Sequence, residues 1–146
     1  MDEEKTGNIL KRLGLKVTRK RIAVMLCLNA AKSYLSAGEV RLHLERQNFS
    51  VGLPTVYRIL DELAVAGVVT RIFMPDSKQY FFLCSNLEHH HHFVCESCGS
   101  VEEIEHCGLE GVIGDIARRS GANVTSHIFQ INGVCDACGS PERSKT

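Results

Sequence analysis

The chain has 146 residues, 17 of them Lys or Arg and 17 Asp or Glu, so its formal charge at neutral pH is zero. Taken whole, that balance argues against a basic nucleic-acid binder and against an acidic tail protein. The total hides a split, however: residues 1–84 carry 13 basic and 8 acidic side chains, residues 85–146 carry 4 and 9. Two halves of opposite charge imply two units with different partners, and the length suits two small domains. No apolar run approaches the ~20 residues of a bilayer-spanning helix, so no membrane partner is expected. The acidic start Met1-Asp2-Glu3-Glu4 lacks a secretory signal's apolar segment. A cytoplasmic address follows as the expectation, and there seven cysteines read as thiols or metal ligands rather than disulfides.

In chain order, residues 4–13 form a short amphipathic stretch closed by Gly14. Thr18 is placed to cap a second helix, in which Ile22, Met25, Leu26 and Ala30 recur at helical spacing. Ser36-Ala37-Gly38-Glu39 fits the S-x-x-E capping box, whose hydroxyl and carboxylate satisfy unpaired N–H groups. Val40 and Leu44 carry that third helix inward. Gly52-Leu53-Pro54 breaks the chain before a fourth helix that runs to about Ala66 and stops at Gly67. Val56, Ile59, Leu60 and Leu63 form its buried stripe and leave Thr55, Arg58, Asp61 and Glu62 outward. Two β-rich runs, 68–73 and 79–83, flank Pro75-Asp76-Ser77-Lys78 and make a hairpin.

Helices followed by a hairpin in this order spell a winged helix-turn-helix, whose last helix is the one offered to the major groove. Arg58, with Thr55 and Tyr57 near the helix start, would then reach base edges or phosphates. Lys16, Arg19, Lys20 and Arg21 add a basic cluster, and Arg71 and Lys78 sit on the hairpin. The plainer alternative is a solvated helix face with ordinary surface charge.

Strands are expected in the second half at 90–94, 101–105 and 124–131, with a helix over 109–120 ended by Gly121. That helix would bury Leu109, Val112, Ile113 and Ile116. One helix and three strands in so short a unit make a thin core, which needs a staple, an oligomeric partner, or both.

Cys95-Glu96-Ser97-Cys98 and Cys135-Asp136-Ala137-Cys138 are the strongest local signal. Each C-x-x-C puts two thiolates on one tight turn, and two such turns complete a tetrahedral structural zinc site. A redox C-x-x-C is the rival reading, but one motif would serve it, and no thioredoxin-like βαβ pattern surrounds either pair. The run Glu88-His89-His90-His91-His92 leads straight into Phe93-Val94-Cys95. If it enters a strand, His89 and His91 face one way and His90 and His92 the other, so one tetrapeptide could feed two metal sites. Cys27 falls on an apolar helix face and reads as core. Cys107, beside His106, reads as a partly exposed thiol near a helix start rather than as an accessory ligand, and His43 as a surface or capping residue.

Taken together, the chain resembles the ferric uptake regulator family of metal-dependent repressors. The resemblance is carried by Leu15-Lys16-Val17-Thr18, by Gly52-Leu53-Pro54-Thr55-Val56-Tyr57-Arg58-Ile59-Leu60, by Ala66-Gly67-Val68-Val69, and by residues 89–98 with Gly99. It implies an α+β architecture: an N-terminal winged-helix DNA-binding domain (1–84) and a small α/β metal-binding dimerisation domain (85–146) with a four-cysteine zinc site. It also implies that Tyr57 and Arg58 lie on the recognition helix, that Lys16 approaches the minor groove, and that Cys95, Cys98, Cys135 and Cys138 are the structural zinc ligands. A second family site maps onto His89, His91, Glu110 and His127. A hinge site draws on His90, His92 and Glu103.

Iron- and peroxide-sensing members carry a histidine just before the Ser-Ala of the capping box, where this chain has Tyr34-Leu35. Cys84, six residues before His90, looks like the zinc-uptake branch, and a thiolate among imidazoles suits Zn2+ better than Fe2+ or Mn2+. Thr70 stands where some zinc members use Asp, which leaves Glu103 as the chosen fourth ligand. The expected function is a homodimeric, zinc-responsive repressor of metal-uptake genes that binds palindromic double-stranded operator DNA and is not an enzyme. An iron-responsive (Fe2+ or Mn2+) or peroxide-sensing regulator is the nearest alternative. A zinc hydrolase is a more distant one: His43-Leu44-Glu45 supplies an H-x-E, but Val94 and Val134 precede the cysteine pairs where a deaminase needs Pro. A metal buffer would have no use for the basic half.

Overall fold

The computed structural model describes residues 1–139. The chain divides into two compact units, Met1–Leu87 and a second that begins at Glu88.

The first unit opens with α1 (Glu3–Arg12), capped by Asp2, whose carboxylate accepts from the Lys5 N–H at 2.8 Å. Glu3 and Glu4 in its first turn and Lys11 and Arg12 in its last complement the helix dipole. α2 (Arg19–Ala31) starts at Thr18, whose hydroxyl accepts from the Arg21 N–H. Of the residues at helical spacing, Met25 is buried and Ile22 packs against the core, whereas Leu26 lines an open groove with Phe49 and Ala30 is exposed; Val24, Cys27 and Leu28 complete the buried face. The helix has almost no amphipathic bias, so residue spacing marks no preferred face.

β1 (Leu35–Ser36) is too short to leave a periodic signal and was not expected. α3 (Ala37–Arg46) carries both halves of the capping box, with Ser36 Oγ accepting from the Glu39 N–H at 3.2 Å and the Glu39 carboxylate from the Ser36 N–H at 2.7 Å. α4 (Leu53–Val65) has Pro in its first turn and buries Val56, Ile59, Leu60 and Leu63. It ends where Gly67 adopts φ of +78°, a left-handed conformation that costs a residue without Cβ little. β2 (Val69–Phe73) and β3 (Gln79–Leu83) form the antiparallel wing, and β1 adds to its far side, Leu35 opposite Phe81. One continuous core runs through this unit from Leu10 to Phe81, and burial among its side chains is what holds α1–α4 to the wing.

The second unit is built on β4 (His91–Cys95), flanked by antiparallel β5 (Val101–Ile104) and parallel β6 (Gln130–Gly133). α5 (Glu110–Ser120) connects the two flanking strands and ends on Gly121 in the left-handed region, and α6 (Asp136–Gly139) is a single turn. Two expectations need correction here. The strand expected over 124–131 is confined to 130–133, because only residues opposite β4 have a ladder to join. No residue of α5 is buried; Val112 and Ile116 are 54% and 48% exposed, since nothing in the described residues covers their face. Among the described residues of this unit the fully buried apolar side chains are Val94 and Cys95, so its core is thin indeed.

Candidate metal centres and DNA-facing residues

Because β4 and β6 run parallel with Cys95 in register with Gly133, their C-terminal ends share one edge of the sheet. The two C-x-x-C turns meet there. The Cys135 N–H donates to Cys95 Sγ at 3.3 Å, the Glu96 N–H donates to the Gly133 carbonyl at 2.8 Å, and Gly99 closes the first turn with φ of +74°. The sulfurs of Cys95, Cys98, Cys135 and Cys138 all lie within 4.8 Å of one another, with Cys98 and Cys135 at 3.8 Å. A tetrahedral ion with metal–sulfur bonds of ~2.3 Å requires sulfur–sulfur edges of about 3.8 Å, so the donor set fits zinc. It does not fit a disulfide, and all four thiols are free.

The surroundings lower two of these thiols towards thiolate and raise a third. Backbone N–H groups of Cys135 and Cys98 hold the Cys95 thiol down to about 6. Ser100, 3.2 Å from Cys98 Sγ, holds Cys98 low as well. Ser97 pulls Cys138 down, but the crowding thiols of Cys135 and Cys98 outweigh it and push Cys138 up to about 12. Four thiolates without a cation would repel; an ion at the centre removes that conflict.

The four histidines fall into two sets, His91 and His92 by alternation along β4 and His89 and His90 from the bend just before it. His89, His91 and His127 gather on one side, ring centroids 4.6 to 5.0 Å apart. His127 Nε2 lies 3.3 Å from His91 Nε2 and 3.3 Å from Cys107 Sγ, and the ligand atoms of all four residues fall within 4.8 Å. Glu110, which the resemblance put in this site, is not in the group; it opens α5 as an exposed residue. Burial lowers the basicity of His91, and the neighbouring histidines add to the shift.

On the other side His90 and His92 stack edge to face at 4.7 Å, and Glu103 stands directly across from His92 on β5. The ligand atoms of these three lie within 4.8 Å of one another. His90 Nδ1 lies 2.6 Å from the Glu88 carbonyl, so Nδ1 carries the proton and Nε2 the lone pair. That Nε2 is buried and has no hydrogen-bond partner among the described residues. A buried acceptor left in this state, oriented by a second-sphere carbonyl, is the arrangement of a metal-ligating imidazole. Burial pushes His92 down to about 4, with His90 adding to the shift and Glu103 opposing it, so its ring is a neutral ligand at pH 7. Cys84 follows β3 in the first unit, where it is buried and its N–H donates to the Val68 carbonyl at 3.0 Å. Cys27, by contrast, is a core thiol, raised to about 11 by burial.

On the first unit, Tyr57 and Arg58 project from α4 into solvent, Thr55 is half-buried, and Lys16 and Arg19 are exposed. Leu15, Pro54, Tyr57, Arg58 and Val65 shape a shallow groove along that helix. Among the described residues no acidic side chain pairs with Arg58. Arg21 departs from the basic cluster: it is bound to Glu62 at 2.6 Å and to the Lys16 carbonyl at 2.9 Å. Arg71 is likewise paired with Asp61 at 2.8 Å. The cations left for phosphates are fewer than the sequence count implied.

Sequence reasoning read Cys107 as a partly exposed thiol rather than as an accessory ligand, and did not single out Phe129. Cys107 has no ligand motif around it; only the fold brings it to His127, twenty residues later. Phe129 packs its ring against His91 at 5.3 Å, and its backbone hydrogen bond holds that imidazole.

A winged helix whose α4 presents Tyr57 and Arg58 to solvent, followed in the chain by a sheet carrying thiol and imidazole clusters, defines a metal-responsive DNA-binding regulator. The model of the Ferric uptake regulator family matches residues 12–132, and the chain belongs to that family. It is 39% identical to the ferric uptake regulation protein of Legionella pneumophila over 88% of this chain and 95% of that one. It is 35% identical to the zinc uptake regulation protein of Mycobacterium tuberculosis, over 87% and 97%. The crystal structure of the Vibrio cholerae ferric uptake regulator matches with a TM-score of 0.61 at 34% identity, covering 88% of this chain and 98% of that one. A zinc uptake regulator complexed with zinc and DNA shares the fold, with a TM-score of 0.78 at 24% identity over 93% and 91%. The protein is thus a metal-responsive transcription regulator and not an enzyme. No helix among the described residues is long and apolar enough to cross a membrane.

Proposed function

We propose that the protein is a zinc-responsive repressor that binds palindromic operator DNA as a homodimer and controls metal-uptake genes. The observation that carries the reading is the buried, unpartnered Nε2 of His90 beside the neutral His92 and Glu103. The His90 Nε2 lone pair is open to a cation, and Cys84, six residues upstream in the chain, supplies the thiolate that favours Zn2+ over Fe2+ and Mn2+. Zinc there would be held by Cys84, His90, His92 and Glu103. Cys95, Cys98, Cys135 and Cys138 hold the structural zinc in this reading.

The chain's own residues do the rest. Lys16 approaches the minor groove, Arg19 adds a cation beside it, and Thr55, Tyr57 and Arg58 present α4 to the major groove. The uncovered apolar residues Val112 and Ile116 of α5, with Ile128, Ile131 and Val134, form the dimer face. A two-fold dimer presents two such helices, which a palindrome matches half-site by half-site. Zinc favours the DNA-binding state, and by reciprocity operator DNA tightens zinc binding by the same factor.

Identity to relatives named as ferric regulators favours an iron-responsive reading as the alternative. Titrating binding to DNA from upstream of zinc-uptake genes, metal by metal, separates the two. Zn2+ should raise the affinity about tenfold or more, within the usual range of allosteric coupling. Cys84→Ser should abolish that response while leaving a folded dimer; an undiminished zinc response removes Cys84 from the site, and a stronger response to Fe2+ favours the iron reading.

A further inference from the structure

We infer that Cys107 is a thiolate ligand that completes the site of His89, His91 and His127, taking the place the family resemblance gave to Glu110, and that this makes the site selective for borderline-soft ions such as Zn2+. The inference rests on the reading that these three histidines hold a metal.

The geometry is that of a tetrahedron's edges. With metal–nitrogen bonds of ~2.05 Å and metal–sulfur bonds of ~2.3 Å, tetrahedral coordination places two nitrogens about 3.3 Å apart and a nitrogen and sulfur about 3.6 Å apart. His127 Nε2 stands 3.3 Å from His91 Nε2 and 3.3 Å from Cys107 Sγ, close to both values. The four ligand atoms converge within 4.8 Å, His91 is only 3% exposed, and Cys107 is half-buried. Glu110 stands exposed at the first position of α5, where a carboxylate complements the helix N-terminus without a metal.

A fourth protein ligand closes the coordination sphere, so no position remains for a reactive water. Oxygen-preferring ions lose the carboxylate that would favour them, and the thiolate rewards zinc and its cobalt surrogate. Cys107 lies just before α5 and His127 a few residues beyond it, whereas His91 is on β4. An ion here therefore fastens both flanks of α5 to the central strand.

Cobalt reports the ligand directly, because a thiolate bound to Co2+ adds near-ultraviolet charge-transfer absorption to the visible bands of a tetrahedral ion. The full chain carrying Cys84→Ser, with zinc in the four-cysteine site, is titrated with Co2+. The expected result is a bound equivalent showing both bands. Cys107→Ser in that background removes the near-ultraviolet band and weakens Co2+ binding by about tenfold or more, the loss that even an outer-sphere partner's removal produces. Glu110→Gln changes neither. Cobalt bound through the histidines without the near-ultraviolet band overturns the inference from the unmutated site, even if Cys107→Ser misfolds. So does a loss of affinity in Glu110→Gln with none in Cys107→Ser. Cobalt binding that survives His89→Ala and His127→Ala unchanged instead sinks the underlying reading of the histidine site.

Discussion

His92 is held at a pKa of about 4 because folding takes its ring out of water. In an unfolded chain the same imidazole titrates near ~6.5. Between those values the unfolded state binds a proton that the folded state refuses, so stability is complete above about pH 6.5 and is lost as pH falls towards 4. The shift corresponds to about 3 kcal/mol at most, and His91 acts in the same direction. Urea unfolding of the chelator-treated protein should show the second unit's midpoint dropping between pH 7 and pH 5, with a flatter response in His92→Gln. An unchanged pH slope in that variant would show that burial of His92 is not the source. The same desolvation serves metal binding, since a ligand already neutral has no proton to displace.

At the scale of elements, α5 is the least satisfied part of the fold. Its amphipathic pattern is clear, yet Val112 and Ile116 face solvent. Burying such residues against a second copy is the ordinary solution for a unit whose own core is so small. Ile116→Glu should weaken the dimer by about 2 kcal/mol, roughly thirtyfold in dissociation constant, while leaving metal content intact. Sedimentation equilibrium would check it, and an unaltered dimer would exclude this helix from the interface. The recognition face teaches the opposite lesson. α4 has its expected buried stripe, but Glu62 and Asp61 capture Arg21 and Arg71. A charge count along the chain cannot anticipate pairs formed across it.

Over the whole molecule, the two units differ in what holds them. The first has a continuous core from Leu10 to Phe81. The second has Val94 and Cys95 as its fully buried apolar side chains among the described residues, and in the proposed reading draws on zinc held by the four cysteines. Chelation should therefore lower the second unit's unfolding midpoint far more than the first's, and Cys95→Ser should do the same while losing one tightly held zinc. Hydrogen exchange resolves the two: amides of α1–α4 keep their protection as those of β4–β6 lose it. Equal loss in both units would contradict a local role for the metal.

What the sequence alone determined is what rests on local chemistry. Caps at Thr18 and Ser36, stops at Gly67 and Gly121, and the stripe of α4 are short-range and periodic, so they are visible in one dimension. The paired C-x-x-C turns and the alternation of His89 to His92 are legible for the same reason, because spacing of a few residues fixes which side chains share a turn or a face. The buried face of α2, the two-residue β1, the late start of β6 and the burial of Arg21 by Glu62 were not legible. Each is set by a partner far away in the chain. Cys107 is the sharpest case: His106 beside it did not decide for a ligand, and only the fold's return of His127 to β4 brings its sulfur to three imidazoles. Long-range contacts depend on which surfaces meet when the chain closes on itself, and that choice is made by packing and coordination in three dimensions.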